Sequence, residues 1–209
     1  MSDFNSLYAT LKQTADPKVA AAIQALVETG ADHELNRINL IEFAARTGLG
    51  EEKVISGFLH ASQIGIFDLT WNVLCPGCSG VLGAHDTLKQ LQPEDYHCGL
   101  CAARYQASID DQVDVASPAS PRVRPIPAHD PHTLPSWDYW RQIFWSSGID
   151  FNEDSFSRLV NEATLEAVEL AAGEKAVVSL QLPAEFVIVF EPVTHSALFL
   201  DVKGEPTKE

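Results

Sequence analysis

The sequence predicts an α+β chain. It should hold an N-terminal winged helix-turn-helix, a four-cysteine zinc ribbon, and a small antiparallel β-rich region, a half-sandwich, toward the C-terminus. Three observations predict this. Apolar residues recur at helical spacing through residues 19–59. Two Cys-x-x-Cys knuckles, Cys75-Pro-Gly-Cys78 and Cys98-Gly-Leu-Cys101, stand nineteen residues apart and hold all 4 cysteines. The last third changes to short β-rich runs broken by Pro183, Pro192 and Gly204. The expected divisions are a helical domain over 1–74, the ribbon over 75–115, a Pro-rich linker over 116–136, and an aromatic helix with β-rich runs over 137–209.

The first helix is expected over residues 17–29. Asp16 can cap it and Pro17 suits its first position. Gly30 suits a left-handed residue past its end. Val19, Ile23, Leu26 and Val27 make one buried face. Residues 39–60 fit two short helices joined by a turn at residues 48–50. Ala44 lies four before Gly48, and Val54, Phe58 and Leu59 follow as apolar positions, a helix-turn-helix pattern. Residues 64–74 read as a turn and an extended strand. Helix, helix, helix, strand is the order of a winged helix, and the wing should run directly into Cys75.

The ribbon comes next. Residues 80–83 read as a short strand and residues 87–91 as a helical turn. Tyr96 and His97 lead into the second knuckle. Beyond it, Ala103, Tyr105, Ala107 and Ile109 alternate with polar residues, a strand with one apolar face. Six prolines between residues 116 and 136 exclude a regular helix or central strand, so an extended surface linker is expected there. After it, Tyr139, Trp140, Ile143 and Phe144 share a helical face. Residues 164–170 suit a strand or a helix end equally. The closing strands are expected at 176–182, 185–190 and 196–202.

Paired knuckles at this spacing are the pattern of one tetrahedral, four-thiolate zinc site, with Cys75, Cys78, Cys98 and Cys101 holding a structural Zn2+. Disulfides or free thiols are the competing reading. Four thiolates close the coordination sphere, so such a metal folds the chain and leaves no open position for catalysis. The N-terminus has neither the basic start nor the apolar stretch of a signal peptide. No apolar run reaches the roughly 20 residues of a membrane span. A cytosolic chain is expected, where reducing conditions suit zinc thiolates.

The net charge is −15. Residues 1–74 hold nine acids against five bases, and residues 137–209 thirteen against five. Such a surface repels phosphate backbones. The second helix of the helix-turn-helix begins Glu51-Glu52 and carries Lys53 and His60 but no arginine, the commonest base reader. Nucleic acid is therefore not the expected partner. His129 and His132 make either a metal pair or local turn hydrogen bonds. His97 either substitutes for a cysteine or flanks the site. Trp137, Trp140 and Trp145 either stack a ligand or pack a core. The pairs Asp110-Asp111 and Glu153-Asp154 read as solvated loop charge. No Gly-rich phosphate loop and no Gly-x-Ser-x-Gly elbow is present.

Several stretches together resemble a bacterial family of unknown function that occurs N-terminal to class III adenylate/guanylate cyclase catalytic domains. They are Leu35-Asn36-Arg37-Ile38-Asn39, Phe58-Leu59-His60-Ala61, the run from Gly65 to Cys78, Tyr96-His97-Cys98 with Cys101, Asp114-Val115, Pro121-Arg122-Val123-Arg124 and Gly173-Glu174. The resemblance covers residues 16–204 and is strongest over 67–101. It implies a non-catalytic regulatory or sensory module that acts through protein–protein contacts on a cyclase catalytic domain, in cis or in trans, alone or as a homodimer. A cyclase domain would need a full domain of its own and paired aspartates for two metals, which this chain does not supply. Winged helix followed by zinc ribbon is also similar to the alpha subunit of the general transcription initiation factor E, so a transcription factor is the alternative expectation. A small-molecule sensor using the β-rich region as its pocket is the third.

Overall fold

The computed structural model describes residues 2–90, 95–101, 103–106, 113–149, 152–168, 170–171, 173–181, 186–191 and 196–202. Helix α1, Ser2–Thr14, precedes every expected element. Its Tyr8 and Leu11 are buried, with Phe4 and Leu7 packed beside them at helical spacing. Helix α2 spans Pro17–Thr29, and Asp16 caps it by accepting the Lys18 N–H at 2.9 Å. Val19, Ile23, Leu26 and Val27 are buried, as their spacing predicts. Gly30 departs from expectation: its φ is −62°, extended rather than left-handed. A Cβ there would stand 2.5 Å from the Leu26 carbonyl oxygen, so close approach, not φ, requires the glycine.

Helices α3, Leu40–Thr47, and α4, Glu51–Gln63, are the two helices joined by a turn that residues 39–60 predict. Asn39 caps α3 by accepting the Ile41 and Glu42 N–H groups at 3.0 and 3.2 Å. Gly48 ends it in the left-handed conformation at φ 67°, a position that costs glycine nothing. Helix α4 meets α2 so closely at Gly57 that a Cβ would lie 2.4 Å from Val19 Cγ1. Phe58 sits at the centre, edge-on to Phe43 at 5.2 Å and stacked on Phe67 at 4.9 Å. Leu59, the third apolar position of this helix, is 45% exposed. One residue past Phe58 it is turned about 100° away.

Strand β1, Thr70–Leu74, runs into Cys75 as expected. Strands β2, Val81–His85, β3, Asp95–Cys98, β4, Ala103–Gln106, and β5, Val113–Ala116, follow. β1 is central in an antiparallel sheet of order β2-β1-β5, and β3 pairs with β4 in a separate hairpin. One partner of β1 therefore lies across the first knuckle and the other beyond the second. Single bridges join Ile38 to Ser117 and Phe67 to Ala119. The strand expected over 103–109 is present as β4, and residues 107–109 lie outside the described residues.

The Pro-rich stretch is not a surface linker. Ser117, Ala119, Ser120, Ile126 and Ala128 are buried, and Ala119, Ile126 and Ala128 belong to the core of the helical bundle. Proline forbids ladder and helix bonds, not burial, provided the other backbone groups find partners. They do. Asp68 N–H donates to Pro118 O, Ala119 N–H to Leu35 O and Ser120 N–H to Ile66 O, at 2.9, 2.8 and 3.0 Å. Arg124 ties the strap to α2 by donating to the Val27 carbonyl at 2.8 Å and pairing with Asp32 at 2.6 Å.

The aromatic helix begins as α5, Ser136–Tyr139, and widens into one π turn, Trp140–Phe144. Helix α6, Glu153–Ala163, and the hairpin of β6, Phe186–Glu191, with β7, Ser196–Asp201, complete the chain. Residues 164–168 are neither helix nor strand. Tyr139, Phe144 and Trp145 form a second buried cluster, with Phe156 and Phe190 packed against it. Ile143 touches both clusters. The expected half-sandwich is smaller than predicted: among the described residues, two strands are present in this region. Residues 176–181, expected as a strand, are irregular, and Val177 is 98% exposed. Among the described residues, no helix is long and apolar enough to cross a membrane.

Candidate metal centre

Each knuckle occupies the turn of a hairpin. Cys75-Pro-Gly-Cys78 joins β1 to β2, and Cys98-Gly-Leu-Cys101 joins β3 to β4. The first is closed by Cys75 N–H donating to Gly80 O and Ser79 N–H donating to Cys75 O, both at 2.8 Å. Ser79 adopts a left-handed φ of 55° to make that turn. Gly77 admits the second knuckle: a Cβ on it would lie 3.1 Å from Cys101 Sγ and 3.2 Å from Tyr105 Oη. The two hairpins thus bring four sulfurs within 4.8 Å of one another.

Cys75 and Cys101 sulfurs are 3.8 Å apart, and Cys78 and Cys98 sulfurs 3.7 Å apart. Metal–sulfur bonds of about 2.3 Å at tetrahedral angles place ligands about 3.8 Å apart. A disulfide needs about 2.05 Å, and the cysteines are free. The four sulfurs can hold one metal ion. Backbone amides support the set. Cys101 N–H donates to Cys98 Sγ at 3.4 Å. Burial works against the Cys75 thiolate, but N–H groups of Cys78 and Gly77 outweigh it, and its pKa falls. Burial raises Cys78, and pushes Cys101 up to about 11. Tyr105, hydrogen-bonded to Cys75, is raised to about 12.

The knuckle is docked on the second core. Gly80 bridges Trp145, and Ser146 N–H donates to Ser79 O at 3.1 Å. Gly80 lies against the Phe144 ring, where a Cβ would sit 2.8 Å from Cζ. The opposite side of this segment is held by the helical bundle. A helix leaves its last carbonyls without intrahelical partners. Asn36 Nδ2 donates to Gln142 O at 2.6 Å, and Arg37 donates to Ile143 O and, at 3.4 Å, to Trp145 O. Arg37 reaches them from a left-handed φ of 48°. The residue keeps some solvent contact, yet its guanidinium is enclosed. Burial lowers its pKa to about 10, against the pull of Tyr139 and Asp114.

The profile of a family of unknown function, DUF5939, matches residues 1–209. The chain belongs to the DUF5939 family. No curated protein and no solved structure matches it.

In this DUF5939 chain His97 and His129, the described histidine alternatives, do not join the four-sulfur cluster. Among the described residues, the four cysteines are the one group of three or more that could hold a metal. His97 is exposed on β3 opposite Arg104. His129 makes local hydrogen bonds instead: Nδ1 accepts the Ile126 N–H at 3.1 Å, and Nε2 donates to Ala119 O at 2.8 Å. The side chain of His132 lies outside the described residues. Trp140 and Trp145 pack on each other at 5.2 Å, and Trp140 stacks on Phe190 at 5.1 Å. Trp137 packs on Phe156 at 6.0 Å. Glu153 and Asp154 open α6 rather than sit in a loop, and Asp110 and Asp111 lie outside the described residues. Residue reasoning missed Asn36 and Arg37 as joints. Their signal was their place in the Leu35–Asn39 stretch that carries the resemblance.

Proposed function

We propose that the chain is a non-catalytic, zinc-stabilised regulatory module that acts through protein–protein contacts on a class III nucleotide cyclase domain. The observation that carries this reading is the four-sulfur cluster formed by the β1–β2 and β3–β4 turns. Such a shell, filled by zinc, has no open coordination position. It supplies folding energy and orientation, and leaves function to the surfaces it orients. The cyclase as partner follows from the family resemblance, and the zinc from four thiolates at tetrahedral separation.

The N-terminal half reads further as a winged helix with the metal ribbon inserted in its wing. The β1–β5 pair supplies the two wing strands, and the bridges at Ile38 and Phe67 fasten them to the bundle. The exposed face of α4 carries Glu51, Glu52, Ile55 and Leu59. That mixture of carboxylates and apolar side chains suits a protein partner better than a phosphate backbone.

Two measurements test the proposal. Protein purified without chelator should contain one zinc per chain, and absence of zinc removes the structural half. Cyclic-nucleotide formation by a class III catalytic domain should change when this chain is fused N-terminal to it, and change again on Cys98→Ser. Equal activity with and without the module removes the regulatory half.

A further inference from the structure

A cleft of about 660 Å³ lies between the bundle and the end of the aromatic helix. It is lined on one side by His33, Asn39 and Arg46, and on the other by Arg141 and the Ser146–Ser147–Gly148 turn. Small-molecule sites typically enclose about 300–1,000 Å³. Three arginines and two glutamates line it, on a chain of net charge −15. The chain has few bases, and this concavity gathers Arg37, Arg46 and Arg141.

The polar groups here are mainly donors. Arg46 gives Nη1 to Glu34 at 2.6 Å, and its side chain is 49% exposed. A guanidinium has five N–H donors in all. Asn39 spends its carbonyl oxygen on the α3 amides. That turns Nδ2 toward the serine–glycine turn, 3.6 Å from where a Gly148 Cβ would stand. Ser147 Oγ is buried with no hydrogen-bond partner, an arrangement folded proteins seldom leave unused. Ser146 Oγ, by contrast, is occupied by Asp114 and Gly148. Converging donors call for a ligand with several acceptor oxygens, and the planar arginine fork matches phosphate.

We infer that this cleft binds a small phosphate-bearing anion. The inference does not depend on the metal or on a cyclase partner, and it places a ligand site at the junction of the two cores rather than in the β-rich region.

The test is isothermal titration calorimetry of the full chain with pyrophosphate and with inorganic phosphate, against sodium chloride and citrate at matched ionic strength. The expected result is saturable one-site binding of a phosphate probe. Losing one charge-assisted hydrogen bond should weaken it about tenfold in Arg46→Gln and again in Arg141→Gln, and severalfold in Ser147→Ala. Arg46 is half-exposed, so its variant should keep the parent's circular dichroism and metal content. Should Arg141→Gln lose either, the comparison rests on Arg46→Gln and Ser147→Ala. Three outcomes overturn the inference: no saturable heat with either phosphate probe, equal affinity in Arg46→Gln and the parent, or binding of citrate alone.

Discussion

Replacing Gly80 by alanine should loosen the joint between the metal knuckle and the aromatic core. An added Cβ would stand 2.8 and 2.9 Å from Phe144 Cζ and Cε1, and 3.3 Å from Cys78 Sγ. Carbon atoms pack best at about 3.5–4.0 Å, so ring or knuckle must retreat by close to 1 Å. Neither has room. Phe144 is 1% exposed and is held by Trp140 at 4.6 Å, Trp145 at 5.3 Å and Phe190 at 5.4 Å. Gly80 is tied by its carbonyl to Cys75 N–H at 2.8 Å. Overpacking of this kind costs about 1–3 kcal/mol. Alanine recovers about 0.4–1 kcal/mol by restricting the unfolded chain. The net loss is about 1–2 kcal/mol, which for a chain of this size lowers the melting temperature by about 5 °C. Thermal melts followed by near-ultraviolet circular dichroism read it directly. Phe144→Leu in the same chain makes room, so the double variant should be more stable than the sum of the single losses predicts, by on the order of 1 kcal/mol. A Gly80→Ala protein that melts with the parent, or a strictly additive double variant, would refute the tight docking of the knuckle.

Arg37→Lys should destabilise by about 1–3 kcal/mol in urea unfolding, since an ammonium cannot reproduce the guanidinium fork over the Ile143 and Trp145 carbonyls. His129→Phe should cost on the order of 2 kcal/mol by leaving the Ile126 N–H and Ala119 carbonyl unpaired, with metal content unchanged. Glu34 has its pKa lowered, chiefly by the Ala31 N–H and further by Arg46, against the effect of burial. Its contribution is therefore full above the ordinary value of 4.5 and is lost as pH falls through the lower folded value. The stability gap between the parent and Glu34→Gln, measured by urea midpoints, should be constant near neutrality and shrink steadily below pH 4.5.

The helices and the sulfur cluster were legible because their signals are local. Asp16, Pro17 and Gly48 mark ends by backbone chemistry, and Cys75, Cys78, Cys98 and Cys101 mark one another by spacing. Even α1 had a readable face in Phe4, Leu7, Tyr8 and Leu11. What could not be read is long-range. The pairing of Trp71 with Val115 spans the whole ribbon, and nothing in either strand names the other. Proline density correctly excluded a regular helix and a central strand from the strap but says nothing about burial, which depends on Leu35 and Ile66 offering carbonyls to it. The β-rich composition of residues 176–181 suits a strand. A strand also needs a neighbouring edge, and that requirement is invisible in the residues themselves.

The segment from Gln142 to Ser146 is gripped from two directions by unrelated chemistry. On one side the bundle holds it through Asn36 and Arg37, which fill the carbonyls a helix end leaves open. On the other the metal knuckle holds it through Ser79 and Gly80. Each of the five residues of the Leu35–Asn39 stretch is itself fastened. Leu35 is buried and its carbonyl accepts the strap's Ala119 N–H, Asn36 and Arg37 reach across, Ile38 bridges Ser117, and Asn39 caps α3. A five-residue run fastened at every position tolerates little independent movement. The proposed anion cleft is walled by both sides of this same joint, by Asn39 and Arg46 on one and Arg141 and Ser147 on the other. Binding energy spent there acts on the relative placement of the two cores, and the free energy available to any downstream partner is limited to the ligand's differential affinity for two such placements. A metal bound at the four sulfurs would make the knuckle the fixed side of this joint.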